Sequence, residues 1–278
     1  MLTANINIRG EEWNGGTTIS SGGVADVPLS LSNKDTPPLR LLADKLIVPK
    51  RERQISRPRL LGHLLNSAEQ YGSTLVCGRA GTGKTALAGE LSGQFGADNT
   101  AWYKVESADV EWDVFFSYLV GSLNQKWNRL RPEDTKEFVA EMLGWGMEKS
   151  TESLSLWLFE SEKPLLVVLD DLHCVYDAEW FPSFFATFLP LFSANAHLLM
   201  TARSLPPFPL WRLRSKQKLS IVEEPLLAFT SEETAEYFTS RGLCRHAAAL
   251  AQNESYGRIG KLKQFAELLT ENRCDCAI

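Results

Sequence analysis

One eight-residue stretch has the residue types and spacing that suit phosphate binding. The stretch Gly78-Arg79-Ala80-Gly81-Thr82-Gly83-Lys84-Thr85 fits the pattern G-x-x-x-x-G-K-[ST]. Its glycines let backbone N–H groups converge on phosphate oxygens without obstruction by a Cβ atom. We expect Lys84 to contact the β- and γ-phosphates of a nucleotide and the Thr85 hydroxyl to ligate Mg²⁺. The predicted cofactor-binding residues are therefore Gly78, Arg79, Ala80, Gly81, Thr82, Gly83, Lys84, Thr85 and Ala86.

The elements that must position this loop are visible on either side of it. Ser73–Cys77 is a short apolar run that predicts a strand, and Thr85–Phe95 has helical spacing. A helix that starts at the loop points the positive end of its dipole at the bound anion. A purely structural glycine turn is the alternative, and the strand and helix weigh against it.

An acidic pair follows the most apolar run of the chain. Leu165–Leu169 is five consecutive aliphatic residues, which predicts a strand buried on both faces, and Asp170 and Asp171 come directly after it. We expect Asp170 to ligate Mg²⁺ through water and Asp171 to position and deprotonate an attacking water. Taken alone, the pair could instead begin a helix as its N-cap.

Two further side chains are candidates for the same site. Arg203 ends the run Thr201-Ala202-Arg203, and the carboxyl ends of strands converge on the ligand in open α/β sheets. It is therefore predicted as a catalytic γ-phosphate sensor beside Lys84 and Asp171, with a plain surface arginine as the alternative. His173 closely follows the acidic pair, and a structural role is the simpler interpretation for it.

Strands and helices alternate along most of the chain, which predicts a parallel sheet covered by helices on both faces. Further strands are expected at Thr100–Val105, His197–Thr201 and Lys218–Val222, with an amphipathic helix at Val110–Trp127. After Pro225 the alternation stops, and helices are expected at Thr230–Arg241, His246–Gln252 and Ile259–Glu271. We therefore predict a flexible Gly/Ser/Thr-rich tail over 1–38, a nucleotide-binding α/β domain over 39–224 and a small helical lid over 225–278.

Composition and charge limit the classes of function. The net charge of −5 argues against a nucleic-acid or membrane surface over the whole chain. The segment Arg203–Lys218 is an exception, because it carries five cations and no acid; a solvated strand edge is its simpler interpretation. Five scattered cysteines and the lack of a signal peptide or long apolar span predict a reducing, cytoplasmic location.

Several stretches together resemble the ATPase module of MalT-type and large LuxR-type regulators, within the signal-transduction ATPases with numerous domains (STAND). The P-loop pattern is generic, whereas other stretches resemble the family's own motifs at matching places in the chain. They are Leu46-Ile47-Val48-Pro49, Arg57-Pro58-Arg59-Leu60-Leu61, Ala101-Trp102-Tyr103, Asp170-Asp171-Leu172-His173, Thr201–Pro206 and Leu227-Ala228-Phe229-Thr230. The resemblance covers roughly residues 41–270 and implies a P-loop NTPase fold of the ASCE/AAA-like type.

The resemblance also implies a function, an ATP/ADP switch with bound Mg²⁺. In such a switch ADP holds a resting form, and ATP permits self-association or binding of a separate effector chain. Ile55 and Arg57 would then flank the adenine. The family's lid carries Trp or Pro near its end, whereas Tyr256–Gly260 has neither, which leaves the lid's nucleotide contacts open.

Three functions follow from these expectations. The leading one is a slowly hydrolysing nucleotide switch without a DNA-binding domain of its own, because the sequence ends soon after the lid. The alternatives are an AAA-like ring ATPase that helps a DNA transaction such as transposition, and a non-catalytic nucleotide-binding subunit. Membrane association is not expected, and direct nucleic-acid binding is left open but not favoured.

Overall fold

The computed structural model describes residues 43–49, 56–127, 132–159, 164–192 and 195–271. Five strands pair in parallel: β1 Ser73–Cys77, β2 Thr100–Lys104, β3 Leu165–Asp170, β4 Ala196–Ala202 and β5 Leu219–Val222. Their order in the sheet is β2-β3-β4-β1-β5. The strand that ends at Ala202 therefore lies between the strand before the glycine loop and the strand before the acidic pair, which brings all three ends to one edge. The predicted parallel α/β fold is confirmed.

Helices connect and flank these strands. They are α1 Pro58–Gln70, α2 Lys84–Phe95, α3 Trp112–Trp127, α4 Pro132–Gly144, α5 Met147–Phe159, α6 Phe181–Phe188, α7 Trp211–Ser215, α8 Glu224–Leu227, α9 Ser231–Thr239, α10 Arg245–Ser255 and α11 Ile259–Glu271. Short 3₁₀ turns precede β2 and α3 and follow β3.

The strand β3 shows why helices cover both faces of the sheet. Successive side chains of a strand point to opposite faces, so an unbroken aliphatic run needs two apolar layers. Leu165, Val167 and Leu169 belong to a core cluster shared with α3 and α6. Leu166 and Val168 belong to a second cluster shared with α1 and α2. The prediction of helices on both faces is confirmed.

The helices between β2 and β4 were mostly not predicted from the sequence. The helix α6 reads FPSFFATF, and Phe181, Phe184, Phe185 and Phe188 are all buried. These four residues lie at positions i, i+3, i+4 and i+7, the spacing of an amphipathic helix, so the helical period was present in the sequence although no helix was predicted there. The rings of α6 pack against α3, where the Phe115 and Phe184 centroids lie 5.1 Å apart.

The segment before α1 is tied to the sheet by a buried ion pair. Lys45, 5% exposed, places its Nζ 2.6 Å from a carboxylate oxygen of Asp109, which is 1% exposed. Glu106 accepts from the same ammonium at 3.1 Å, and the Tyr118 ring lies beneath it at 4.7 Å. Burial alone would lower the pKa of Lys45, but the hydrogen bonds to Asp109 and Glu106 raise it. The ion pair therefore joins the segment before α1 to the turn after β2.

The helices α9 to α11 share a separate apolar cluster that includes Phe229, Tyr237, Phe238, Ala248 and Leu262. The first of them begins at a capping box, in which the hydroxyl of Thr230 accepts from the Glu233 amide and the Glu233 carboxylate accepts from the Thr230 amide. We refer to the described residues from Phe229 to Glu271 as the lid. The division into domains at 224/225 stays a prediction, and the tail 1–38 lies outside the described residues.

Candidate functional site

The glycine loop leaves β1 and turns into α2 in the geometry that its sequence requires. The Gly78 amide donates to the Ala202 carbonyl at 3.1 Å, which anchors the start of the loop to β4. Gly81 and Gly83 have φ values of +75° and +87°. This left-handed backbone is costly for residues with a Cβ atom, so the two glycines are needed for the turn.

The side chain of Lys84 folds back over the glycine loop and contacts its first two residues. Its Nζ donates to the carbonyl oxygens of Gly78 at 2.6 Å and Arg79 at 3.0 Å. Burial lowers the pKa of this ammonium, and the nearby Asp171 carboxylate opposes the effect. Lys84 also lines a cleft of about 340 Å³ whose walls include Gly83, Thr85, Asp171 and Arg203. We call this space the P-loop cleft.

Asp170 and Thr85, the two residues predicted to ligate Mg²⁺, lie in hydrogen-bond contact. The Thr85 hydroxyl lies 3.0 Å from both carboxylate oxygens of Asp170, which is 1% exposed. Burial raises the pKa of the Asp170 carboxyl, while a hydrogen bond from Thr201 acts in the opposite direction. A hydroxyl and a desolvated carboxylate are hard oxygen donors, the kind that Mg²⁺ prefers, so the pair fits this cation.

Thr201 orders both acids and was not predicted as a site residue. Its hydroxyl donates to Asp170 Oδ1 at 2.6 Å and accepts from the Asp171 amide at 2.9 Å. Leu169 on β3 pairs with Met200 on β4, so the next residue along each strand brings Asp170 and Thr201 side by side. The strand order would have been needed to find this contact from sequence.

Asp171 projects from an unusual backbone. Its φ is +60°, a left-handed conformation that Asp adopts more readily than most residues. The conformation directs its carboxylate into the P-loop cleft, and His173 Nδ1 lies 3.7 Å from one of its oxygens. Burial lowers the pKa of His173. The acidic pair therefore divides into a buried member beside Thr85 and a member that reaches the cleft.

Arg203 leaves the end of β4 and lines the P-loop cleft together with Lys84 and Asp171. Its side chain is exposed. The structure thus brings together Lys84, Thr85, Asp170, Asp171 and Arg203 as predicted.

The side chains of Arg79 and Thr82 make contacts within the protein. Arg79 forms a 2.7 Å ion pair with Glu224 and lowers the pKa of that carboxyl to about 2, while the Thr82 hydroxyl donates to the Arg79 carbonyl. Both residues are part of the glycine loop, so their predicted role in phosphate binding would be played by the loop backbone and not by their side chains.

A second space, the lid pocket, adjoins the P-loop cleft. It measures about 170 Å³, and the two spaces share Gly81, Gly83 and Ala86 as wall residues. Its other walls come from both sides of the chain: Arg57, Leu87 and Glu90 before and along α2, and Phe229, Tyr237, Ile259, Gly260 and Lys263 from the lid. Most of these residues were not predicted as site residues. Phe229 was named only as part of the family-like stretch Leu227-Ala228-Phe229-Thr230.

Arg57 joins the two walls of the lid pocket. It is 6% exposed, its guanidinium donates to the Ala228 carbonyl at 3.0 Å and to Glu233 at 3.3 Å, and it lies 4.2 Å over the Phe229 ring. Its Nε is buried without a hydrogen-bond partner among the described residues. Arg57 therefore ties the lid to the segment before α1 through its terminal nitrogen Nη2 and its stacking on Phe229. Ile55, the other predicted adenine neighbour, lies outside the described residues.

The lid itself touches the glycine loop. The Gly260 amide donates to the Gly81 carbonyl at 2.9 Å. A Cβ atom built on Gly83 would lie 3.4 Å from the Ile259 side chain. The lid departs from the family pattern at Tyr256–Gly260, yet this segment is the part of the lid that meets the loop.

The strand order, the glycine loop and the acidic strand end define this chain as a P-loop ATPase fold. Solved structures agree with this fold. A STAND protein with a tetratricopeptide repeat sensor from Pyrococcus horikoshii matches with a TM-score of 0.52 and 16% identity over 80% of this chain and 30% of that chain. A Walker-type ATPase of Pyrococcus abyssi matches with a TM-score of 0.55 and 13% identity over 80% and 70%.

Sequence comparison gives the nearer relationship: over this module the chain is homologous to MalT, a STAND-type regulator. It is 32% identical over 207 residues to the HTH-type transcriptional regulator MalT of Vibrio cholerae and 28% identical over 207 residues to that of Klebsiella pneumoniae. Each match covers 72% of this chain and 22% of the relative, so the chain spans about a fifth of those proteins. The predicted resemblance is confirmed. No protein-family model matches the chain.

Among the described residues, no helix has the length and apolar character needed to cross a lipid bilayer.

Proposed function

We propose that the chain is a nucleotide switch that binds Mg·ATP and ADP between its glycine loop and its lid, hydrolyses ATP slowly, and controls self-association or binding of a separate effector chain. The observation that carries this proposal is the continuity of the P-loop cleft with the lid pocket. A nucleotide whose phosphates lie at Lys84 has its base directed into a pocket with walls from both the α/β core and the lid. Binding of a nucleotide in this pocket would therefore change the position of the lid.

Each cleft residue has a distinct role in this proposal. Lys84 offsets the β- and γ-phosphate charge, and the loop amides bind the same oxygens. Thr85 and Asp170 hold Mg²⁺, which when bound neutralises the phosphate charge. Asp171 positions the attacking water and accepts its proton.

The lid pocket supports an adenosine group in the proposal. The Phe229 ring and the side chains of Ala86, Leu87 and Ile259 give it apolar walls, and Arg57, Glu90 and Lys263 are its charged lining residues. Apolar walls with few polar groups are typical of base and ring binding sites. The proposal also includes two domain boundaries: one at 38/39 between the tail and the α/β domain, and one at 224/225 between the α/β domain and the lid.

Calorimetry and single-turnover hydrolysis test the proposal. Lys84→Ala is expected to weaken Mg·ATP binding by roughly 2–4 kcal/mol, the scale of a lost charge-assisted contact. Lys149→Ala, at an exposed lysine on α5, is the matched control and should bind as the wild type does. An affinity of the Lys84 variant within twofold of the control would overturn the site.

The same assay separates the switch from its alternatives. A switch hydrolyses slowly at a rate independent of protein concentration, whereas a ring ATPase that completes its site with a neighbour hydrolyses faster as concentration rises. A non-catalytic subunit would bind nucleotide and leave it intact. Either of the last two results would replace the proposed function.

A further inference from the structure

A basic surface with an exposed aromatic ring lies between β4 and β5. It consists of Trp211, Arg212, Arg214 and Lys216, and we call it the Trp211 surface. All four residues are exposed, and the Trp211 side chain is 64% exposed. A single exposed ring is ordinary, so what distinguishes this surface is that the ring stands among three exposed cations.

The charge of this region contrasts with that of the whole chain. The segment 203–218 contains five cations and no acid, in a chain with a net charge of −5. Within the described residues, Arg212, Arg214 and Lys216 have no carboxylate within ion-pair distance, whereas Arg57, Arg59 and Arg79 each have one. The positive charge is therefore available to a partner.

The surface has a rigid base. Leu210 is 9% exposed, and Phe208 and Leu213 pack against the same core cluster beneath the sheet. The turn after α7 is closed by backbone hydrogen bonds, among them Lys218 N–H to the Leu213 carbonyl at 2.9 Å. Arg212 and Arg214 are thus displayed on an anchored helix with Lys216 directly after its end, and less conformational entropy is lost when they bind a partner.

The ring and the cations are arranged together. The Arg212 guanidinium lies 5.1 Å from the centre of the Trp211 ring. An accessible indole beside guanidinium groups is the combination by which proteins hold single-stranded nucleic acid, with a base stacked on the ring and phosphates at the cations. Since a single strand engages both the ring and the cations through its bases and phosphates, we take single-stranded nucleic acid as the occupant and leave an acidic protein to the test.

We propose that the Trp211 surface binds single-stranded nucleic acid, with phosphates at Arg212, Arg214 and Lys216 and one base stacked on Trp211. The cations set affinity, and the ring adds a contribution that does not depend on salt. This inference goes beyond the proposed nucleotide switch and does not rest on it, since neither the P-loop cleft nor the lid pocket includes these four residues.

Fluorescence anisotropy of the full chain with a dye-labelled oligothymidylate tests the proposal. The oligonucleotide carries a 5′-hydroxyl and the protein is saturated with Mg·ADP, which keeps terminal phosphates out of the P-loop cleft. The triple variant R212A/R214A/K216A should bind at least tenfold more weakly. The slope of log affinity against log salt should fall by about 2, at roughly 0.7 per phosphate contact. Trp211→Leu should weaken binding about 5- to 100-fold with an unchanged salt slope.

The matched control is a second triple variant, K136A/K149A/R245A, at three exposed cations on α4, α5 and α10. It should bind as the wild type does, and circular dichroism checks that both triples are folded. The proposal is overturned if the wild type does not bind the oligonucleotide or if the two triples behave alike. It is also overturned if polyglutamate competes equally while Trp211→Leu has no effect, since the surface would then suit an acidic protein.

Discussion

The amide of Gly260, at the start of α11, donates a 2.9 Å hydrogen bond to the carbonyl oxygen of Gly81 in the glycine loop. The contact is close because neither residue has a side chain: a Cβ atom on Gly260 would lie 3.1 Å from that oxygen. The lid is thus joined to the backbone that the proposal assigns to phosphate binding. A change in the loop on nucleotide binding would be transmitted directly to the lid.

Gly260→Ala should loosen the bound nucleotide. The added methyl group must push the lid from the loop, and overpacking of this kind costs about 1–3 kcal/mol. We expect a labelled ADP to dissociate about 5- to 100-fold faster in stopped-flow measurements. Gly62→Ala on α1 is the matched control, because a Cβ atom there meets no other atom within 4 Å. Equal dissociation rates for the two variants would show that the contact does not hold the nucleotide.

The two members of the acidic pair should differ when each is replaced. Asp171→Asn should keep Mg·ATP binding and reduce turnover about 10²-fold or more, the scale of a lost general base. Asp170→Asn should raise the Mg²⁺ concentration needed for ATP binding about tenfold, since a buried charged ligand is lost. Calorimetry at several Mg²⁺ concentrations and single-turnover hydrolysis give both quantities. Identical behaviour in both assays would refute this division of roles.

The sequence predicted the sheet and the loop well because their signals are local. The run Leu165–Leu169 is typical of a strand buried on both faces, and the glycine pattern is typical of a phosphate-binding loop between a strand and a helix. Element ends moved by one to three residues: β4 spans Ala196–Ala202 where His197–Thr201 was predicted, and α10 ends at Ser255 where Gln252 was predicted. The helices α4 to α6 were not predicted, although the buried phenylalanines of α6 recur at i, i+3, i+4 and i+7.

Lys45→Met should destabilise the fold far more than a matched surface change. It leaves the Asp109 carboxylate buried without its cation, which costs about 3–5 kcal/mol. Lys104→Met is the control, because Lys104 pairs with the same Glu106 at 3.5 Å but is 47% exposed, and such pairs contribute about 0–1 kcal/mol. Urea unfolding measures both. A loss below about 1 kcal/mol for the Lys45 variant would show that the pair does not anchor this segment.

His197 should make the fold less stable in mild acid. Burial lowers the pKa of His197 to about 4 in the folded protein. In the unfolded chain the imidazole gains its proton near the ordinary pKa of 6.5. Above pH 6.5 both states hold neutral imidazole, so stability is fully present there. As the pH falls from 6.5 to 4, only the unfolded chain gains the proton, and up to about 3 kcal/mol is lost.

The variant His197→Asn isolates this effect, since it can still donate to the Tyr71 carbonyl that His197 Nδ1 contacts at 3.0 Å. As the pH falls from 6.5 to 4, the free energy of unfolding of the wild type should decrease relative to that of the variant. A constant difference over that range would mean that His197 does not cause the loss.

The site was predicted in part, for a physical reason. Lys84, Asp170 and Arg203 are the charged ends of short patterns, so sequence spacing identifies them. Thr201 and Phe229 act through neighbours far along the chain, and only the strand order and the packing of the lid bring them to the site. The contacts of Tyr256–Gly260 with the loop could not be predicted, since this segment lacks the family's Trp or Pro.

The central claim, that the cleft distinguishes ATP from ADP and passes the difference to assembly, is tested most directly at Arg203. An arginine at the end of β4 can bond the γ-phosphate of ATP and has no such partner in ADP. Since a ligand shifts an equilibrium only by its differential affinity, this contact, about 1.5–3 kcal/mol, would change populations roughly ten- to a hundredfold.

The measurement is sedimentation of wild type, Arg203→Ala and the exposed-arginine control Arg245→Ala, each with ADP and with a non-hydrolysable ATP analogue. The account predicts that wild type and the Arg245 variant self-associate with the analogue and not with ADP. The Arg203 variant should remain in the ADP-type state with either nucleotide while binding ADP normally. Assembly of the Arg203 variant with the analogue as in wild type, or a wild type indifferent to nucleotide, would contradict it.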